Sequence, residues 1–145
     1  MLITRKVEFS ASHVCRNPAL SEEENFAAYG AGANLNGHGH NYEVEVSLSG
    51  EPDPVTGMVL DLKDLKQLLR EEIEGPYDHR FLNREVPPFD KIVPTTENVA
   101  RDIWRRLTPH FAGKAQKLHS VRVYETADLF VDYWGEGGEQ GAGGD

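Results

Sequence analysis

The sequence predicts an α+β protein in which two pairs of β-strands are combined with two longer helices. A pair of stretches in the first third of the chain alternates apolar and polar residues, as strands with one buried face do. Two later stretches repeat apolar residues every three or four positions, which is typical of amphipathic helices. A second alternating pair follows near the C-terminus, so the predicted strands flank the predicted helices.

The length and composition fit one globular domain. The chain has 145 residues, of which 27% are charged and 39% hydrophobic. We expect the domain to span residues 1–134. The glycine-rich tail, residues 135–145, has almost nothing to bury and is predicted to be disordered.

Several classes of protein are disfavoured by these numbers. The net charge of −9 argues against nucleic-acid binding, although a few local basic residues could still attract an anionic small substrate. The N-terminus has no continuous apolar run, so we expect neither a signal peptide nor a membrane span. The single cysteine, Cys15, cannot form an internal disulfide, and a cytoplasmic location is expected.

We predict the first strand over residues 2–13 and the second over residues 39–49. Between them, Ser21 and Glu24 form a capping-box pattern that predicts a short helix ending at Gly30. His13 shares the apolar face of the first strand, with Ile3, Val7, Phe9 and Ala11. His38 and His40 share the apolar face of the second strand, with Tyr42, Val44, Val46 and Leu48.

The helices and the last strand pair follow a turn at DPVTG. The first long helix is predicted over residues 61–74 with Asp61 as N-cap, and the second over residues 97–111 with Thr95 or Thr96 as cap. The loop between them, residues 75–94, contains four prolines and no clear period; a loop of that length is more often functional than not. A hairpin of residues 118–126 and 129–134 closes the domain.

The three histidines suggest a metal site. If the first two strands pair, His13, His38 and His40 converge at one end of the sheet. Three histidine ligands without a fourth protein ligand are the arrangement expected of catalytic zinc, which keeps one position open. The alternative is that each histidine is simply hydrogen-bonded within the core, since a His-x-His pair alone is a weak metal signal.

Three carboxylates are further candidates. Asp78 could fix the tautomer of the adjacent His79 in an acid/base pair, or it could merely shape the loop. Glu125 lies on the apolar face of its strand, where it needs an internal arginine or the N–H donors of a ligand. Glu97 by itself is better explained as a first-turn carboxylate of the second helix.

Six motifs in the same order resemble the family of 6-pyruvoyl tetrahydropterin synthase and its bacterial relative, 6-carboxytetrahydropterin synthase. The resemblance covers about residues 2–134. The motifs are FSASH (residues 9–13), NGHGHNY (36–42), DPVTGMVLDLKDLK (53–66), DHRFLN (78–83), PTTENVA (94–100) and VYET (123–126).

The resemblance implies the tunnelling fold, a four-stranded antiparallel sheet with two helices on one face. Three such sheets would join into a barrel, and two trimers would stack into a hexamer, so the active site would lie between subunits. The family metal is zinc, which His13, His38 and His40 would bind. Asp78 and His79 would be the acid/base pair, Glu125 would anchor the pterin, and Thr96 and Glu97 would lie near its ring.

The implied activity is that of a lyase. It would convert 7,8-dihydroneopterin triphosphate to 6-pyruvoyl tetrahydropterin with loss of triphosphate, in tetrahydrobiopterin synthesis. One alternative is cleavage of the side chain to the 6-carboxy product, which serves queuosine synthesis. Others are a pterin-binding homologue without full activity and a metal-storage or scaffold protein; the last leaves Glu125 unexplained.

One departure from the family pattern concerns its catalytic cysteine, which lies a few residues before HGH. Gly32 or Asn34 stands there in this chain. Cys15, two residues after His13 and on the same face, is our candidate for a relocated base, since zinc nearby would favour a thiolate. The alternative is that Cys15 is a small buried apolar residue.

Overall fold

The computed structural model describes residues 1–137, and residues 138–145 of the predicted tail lie outside the described part. A five-stranded mixed sheet with the order β3-β1-β2-β4-β5 forms its centre. The four longer strands pair with one another in antiparallel fashion, as predicted. The strands are β1 (Leu2–His13), β2 (His38–Ser49), β3 (Arg80–Phe81), β4 (Lys117–Thr126) and β5 (Leu129–Tyr133).

The fifth strand corrects the predicted four-stranded sheet. β3 arises within residues 75–94, where no periodic structure was predicted, and it pairs in parallel with the end of β1. Two residues are too short to show an alternation, and their partner lies far away in sequence. The same stretch also contains two short helical turns, so the prediction that it is a loop was wrong in part.

The helices are α1 (Glu22–Tyr29), α2 (Leu62–Leu69), α3 (Gly75–Tyr77), α4 (Leu82–Glu85) and α5 (Thr96–Leu107). The side chains of Ser21, Asp61 and Thr95 cap α1, α2 and α5 by accepting backbone N–H groups, and Ser21 and Glu24 complete the predicted capping box. Thr95 rather than Thr96 is therefore the cap of α5.

A π-helical turn, Arg70–Glu74, joins α2 to α3, so the first long helix extends beyond its predicted end at residue 74. The buried residues Leu65, Leu69, Ile73 and Tyr77 recur at every fourth position. An α-helix has about 3.6 residues per turn, so such a row drifts around its surface. The wider π turn counteracts that drift and keeps all four side chains against the sheet.

The core lies on one face of the sheet, beneath the two long helices. Alternate residues of β1, β2 and β4 are buried there, and helices α2 and α5 cover them. Each fully buried Val or Leu contributes about 1.5–3 kcal/mol to this packing. The strand residues are Val7, Phe9, Ala11, Tyr42, Val44, Val46, Leu48, Val121 and Val123.

Across β1 and β2 the other face of the sheet is polar. Across β1 and β2 its cross-strand contacts include an ion pair of Lys6 with Glu43 and a hydrogen bond of Thr4 with Ser47. None of the helices in residues 1–137 combines the length and apolar character needed to cross a membrane.

Candidate active site

The pairing of β1 with β2 brings three histidines to one end of the sheet. His13 lies opposite His38, and Ala11 lies opposite His40, so all three imidazoles meet on the core face. Two glycines make the close approach possible. Gly37 has a φ of 74°, and a Cβ on Gly39 would lie only 3.2 Å from the carbonyl oxygen of Ala11.

The ring nitrogens are spaced as ligands of one metal ion. Nε2 of His13 lies 3.0 Å from Nε2 of His38 and 3.2 Å from Nε2 of His40. Ligand atoms of the three residues all lie within 4.8 Å of one another. Two nitrogens at tetrahedral positions around Zn²⁺ would be about 3.3 Å apart, so the three histidines fit such an ion.

His13 is held in the orientation that a ligand needs. It is completely buried, and its Nδ1 lies 2.7 Å from the carbonyl oxygen of Pro94. Since a carbonyl only accepts, Nδ1 carries the proton and the lone pair of Nε2 faces the other two rings. Burial lowers the pKa of both His13 and His40, which favours the neutral, metal-binding form.

Glu125 lies beside this cluster. Its Oε1 is 3.6 Å from Nε2 of His13 and 3.5 Å from Nε2 of His40, and its side chain is 18% exposed. The pairing of β4 with β5 shifts between Tyr124 and Thr126, which leaves Glu125 at a β-bulge. Bulges commonly re-aim a side chain beside a functional site. The carboxylate therefore lies beside Nε2 of both His13 and His40.

Cys15 and Gly32 are neighbours. The amide of Cys15 donates to the carbonyl of Gly32 at 2.8 Å. A Cβ built on Gly32 would lie 3.7 Å from Cβ of Cys15 and 3.8 Å from Cε1 of His38. The Cys15 thiol thus lies next to the space that a side chain at position 32 would enter.

The environment of the Cys15 thiol favours its protonated form. Burial raises its pKa to about 11, and the nearby charges of Glu125 and Glu97 act in the same direction. The sulfur lies 3.9 Å from Nδ1 of His13, whereas Nε2 is the nitrogen of that ring that faces the other imidazoles. Cys15 is therefore placed beside the cluster and not among its ligands.

Asp78 and His79 form an oriented pair outside the core. Oδ2 of Asp78 lies 2.9 Å from Nδ1 of His79, while Oδ1 accepts the amide of Ser10 at 2.9 Å. The Ser10 amide keeps the pKa of Asp78 below its ordinary value, with His79 adding to the effect. An ionised Asp78 accepts a hydrogen bond from Nδ1–H, which leaves the lone pair on Nε2 of His79.

The imidazole of His79 projects into solvent. Its side chain is 82% exposed, and its backbone adopts a φ of 61°, which is unusual for a residue with a side chain. The amide of His79 donates to the carbonyl of Ser10 at 2.6 Å, which helps to hold this conformation. The backbone and Nδ1 of His79 are thus held by Ser10 and Asp78, while Nε2 faces solvent.

A surface groove lies between the three-histidine cluster and the Asp78–His79 pair. It has a volume of about 500 Å³ and is bordered by both His40 and His79, along with Ser10, Ser12 and Asn41. Within residues 1–137, no hydrogen bond or ion pair links His79 to the three-histidine cluster.

Thr96 and Glu97 are the first two residues of helix α5. Thr96 is buried and Glu97 is exposed in the first turn, where its charge still acts on the Cys15 thiol. Their predicted contact with a ligand ring stays a prediction.

Two functional contacts were not predicted. The carbonyl of Pro94 orients His13 across 81 residues of sequence, and the backbone of Ser10 binds both Asp78 and His79. Backbone groups carry no residue signature, so only the alternating pattern of β1, which places Ser10 near its end, hinted at the second contact.

Comparisons with known proteins agree with the motifs. The profile of the family described as 6-pyruvoyl tetrahydropterin synthase matches residues 2–136. A human protein named 6-pyruvoyl tetrahydrobiopterin synthase is 47% identical over 134 residues, which cover 92% of this chain and 91% of the relative.

Solved structures show the same fold. The structure of 6-pyruvoyl tetrahydropterin synthase from Caenorhabditis elegans has a TM-score of 0.86 at 36% identity and covers 93% of this chain and 95% of its own. A Plasmodium vivax structure of the same description has a TM-score of 0.63 at 17% identity, with coverages of 92% and 97%, and supports the fold alone.

Proposed function

The chain belongs to the 6-pyruvoyl tetrahydropterin synthase family and is a lyase of that kind, and from this premise we propose that it converts 7,8-dihydroneopterin triphosphate to 6-pyruvoyl tetrahydropterin with release of triphosphate. The convergence of three Nε2 atoms at one end of the sheet supports this proposal most directly. The relatives named above carry the name of this product rather than the 6-carboxy product, which favours it.

We propose zinc as the metal. The donor set of three imidazoles with a buried, oriented His13 suits Zn²⁺. When bound, zinc would supply Lewis acidity to the hydroxyl groups of the substrate side chain.

The proton transfers are assigned to Asp78 and His79. The ionised Asp78 fixes Nδ1–H of His79, so Nε2 can take a proton from the substrate side chain and return it elsewhere. Glu125 is proposed to accept the adjacent amino and ring N–H groups of the pterin, because its carboxylate matches that pair of donors. Thr96 and Glu97 are proposed to border the ring.

The active site is proposed to lie between copies of the chain. The free Nε2 of His79 faces solvent and makes no polar contact with the histidine cluster of its own described chain. Strand β5 forms one edge of the sheet, where a strand of another copy could pair. A barrel of three sheets in the tunnelling fold, as a trimer or hexamer, would supply both groups to one substrate.

We further propose that Cys15 performs the role of the family's thiol, in whose place this chain has Gly32 or Asn34. The proximity of Cys15 to the space beside Gly32 and His38 supports this assignment. Burial raises the pKa of the thiol and the charges of Glu125 and Glu97 add to it; a divalent cation at the histidines would oppose those two charges.

Chromatographic identification of the product tests the function. Purified protein is incubated with 7,8-dihydroneopterin triphosphate, and pterins and triphosphate are quantified. We expect 6-pyruvoyl tetrahydropterin and free triphosphate. Formation of a 6-carboxy product together with acetaldehyde would contradict the proposed reaction and show that the enzyme cleaves the side chain. Binding without triphosphate release would identify a pterin-binding protein.

A further inference from the structure

A buried carboxylate lies under the segment that carries the acid/base pair. Asp102, on helix α5, is only 4% exposed. It accepts hydrogen bonds from the hydroxyl of Tyr77 and, at 2.7 Å, from Nε of Arg106. Arg105 binds its other oxygen at 2.5 Å from the exposed side of the helix. None of these four residues takes part in the proposed chemistry.

Both ends of the acid/base segment, which we define as residues 78–86, are attached to this carboxylate. Tyr77 directly precedes the segment and is completely buried. Pro87 directly follows it, and the carbonyl of Pro87 accepts Nη2 of Arg106 at 3.1 Å. Since Asp102 binds both Tyr77 and Arg106, one buried group anchors the segment at its beginning and its end.

We infer that the Tyr77 hydroxyl and Asp102 are positioning groups for His79. The inference rests on the proposed acid/base role of His79. A residue with a side chain keeps a φ of 61° only where its surroundings hold it. The backbone of Ser10 on strand β1 restrains His79 by a hydrogen bond. Asp102 on helix α5 restrains the ends of the segment that carries His79. Together these contacts fix the direction of the imidazole.

The role of the Tyr77 hydroxyl can be tested separately from the packing of the Tyr77 ring. The ring of Tyr77 lies 4.9 Å from the ring of Phe9 and 6.3 Å from that of Phe89, in the core. Burial raises the pKa of Tyr77 far above its ordinary value, with the Asp102 charge adding to it, so the hydroxyl is a neutral donor. Tyr77→Phe keeps the ring contacts and removes only the bond to Asp102.

The test compares the steady-state kinetics of Tyr77→Phe with the wild type. We expect kcat to fall about tenfold or more, because small displacements of a catalytic group are costly. KM and bound metal should stay unchanged, since neither Glu125 nor the three histidines touch this group. Tyr133→Phe is the matched control: the Tyr133 hydroxyl, at the end of β5, donates to Glu136 at 2.7 Å and touches neither Asp102 nor the acid/base segment, so both constants should be retained.

The separate effects on kcat and KM decide whether the Tyr77 hydroxyl positions His79 or only supports the fold. An unchanged kcat in folded Tyr77→Phe overturns the inference, and so does a fall in kcat accompanied by lost metal or a raised KM. Arg105→Gln provides a second comparison. It removes a 65% exposed partner of Asp102 that reaches neither end of the acid/base segment, so its kcat should stay close to that of the wild type.

A measurement without substrate keeps this inference separate from the proposed function. The ¹⁵N chemical shifts of a histidine ring report which nitrogen carries the proton. We expect His79 to be protonated at Nδ1 in the wild type and to show averaged, mobile signals in Tyr77→Phe. Identical His79 signals in the two proteins would overturn the positioning role, whereas a wild type without turnover would refute only the function.

Discussion

The amide of Cys15 donates to the carbonyl of Gly32, and a Cβ on Gly32 would lie 3.7 Å from Cβ of Cys15. From the resemblance to the family we expect a thiol at the position of Gly32 or Asn34, and the fold places this chain's single cysteine beside Gly32. The pair can therefore be exchanged experimentally without rebuilding the site.

Cys15→Ala should lower turnover by about 100-fold if the thiol takes part in proton transfer. Adding Gly32→Cys to that variant should restore much of the loss, because a Cβ at position 32 meets its neighbours at 3.7 and 3.8 Å, which is ordinary contact. Gly32→Ala in the same background fills the space without a thiol and should restore nothing. Unchanged turnover in Cys15→Ala would end the idea of a relocated thiol.

His40→Ala should lower the affinity for zinc by more than about 100-fold, since even outer contacts of a metal site contribute up to that amount. Metal content after dialysis, measured by elemental analysis, checks this. His119→Ala is the control, because His119 contacts Ser120 and not the cluster. Equal metal content in His40→Ala and the wild type would show that the ion lies elsewhere.

The stability of the metal-free protein should depend on pH through the buried histidines. Burial lowers the pKa of His13 and His40 in the folded state, so below about pH 6.5 the unfolded chain binds protons that the folded chain does not. The free energy of unfolding should therefore be greatest above about pH 6.5 and decrease as the pH falls further.

Urea unfolding of chelated protein at about pH 7.5 and about pH 5.5 measures this change. His40→Asn removes one of the two groups and should reduce the difference between the two pH values. A metal-free wild type that is more stable at the lower pH would contradict the assignment of neutral, buried imidazoles.

Glu125→Gln should weaken substrate binding while metal content is retained. The amide keeps the shape of the carboxylate but replaces one acceptor by a donor, which opposes the pterin N–H groups. We expect KM to rise by about 10-fold or more, because an unpaired polar group in a site costs roughly 1–3 kcal/mol. Loss of metal with unchanged KM would instead make Glu125 a ligand, as its 3.5 Å distance from Nε2 of His40 allows.

Alternation along two strands assigned His13, His38 and His40 to the apolar faces, and the histidine cluster was predicted on the added assumption that the two strands pair. The register that sets His13 opposite His38 also required the strands to align end to end, from Leu2 opposite Ser49 onward.

Other parts of the site depend on contacts between distant residues and could not be predicted from local patterns. The carbonyl of Pro94, the bulge at Glu125 and the proximity of Cys15 to Gly32 leave no periodic trace in the sequence. The short strand β3 was missed for the same reason: its pairing with β1 is parallel and non-local.

Triphosphate release before and after removal of the metal tests the central claim most directly. The wild type is assayed with 7,8-dihydroneopterin triphosphate as purified, after chelation and dialysis, and after zinc is returned. We predict that release stops on chelation and resumes with zinc, and that His40→Ala does not recover. Release at the full rate from metal-free protein would contradict a reaction that depends on zinc at His13, His38 and His40.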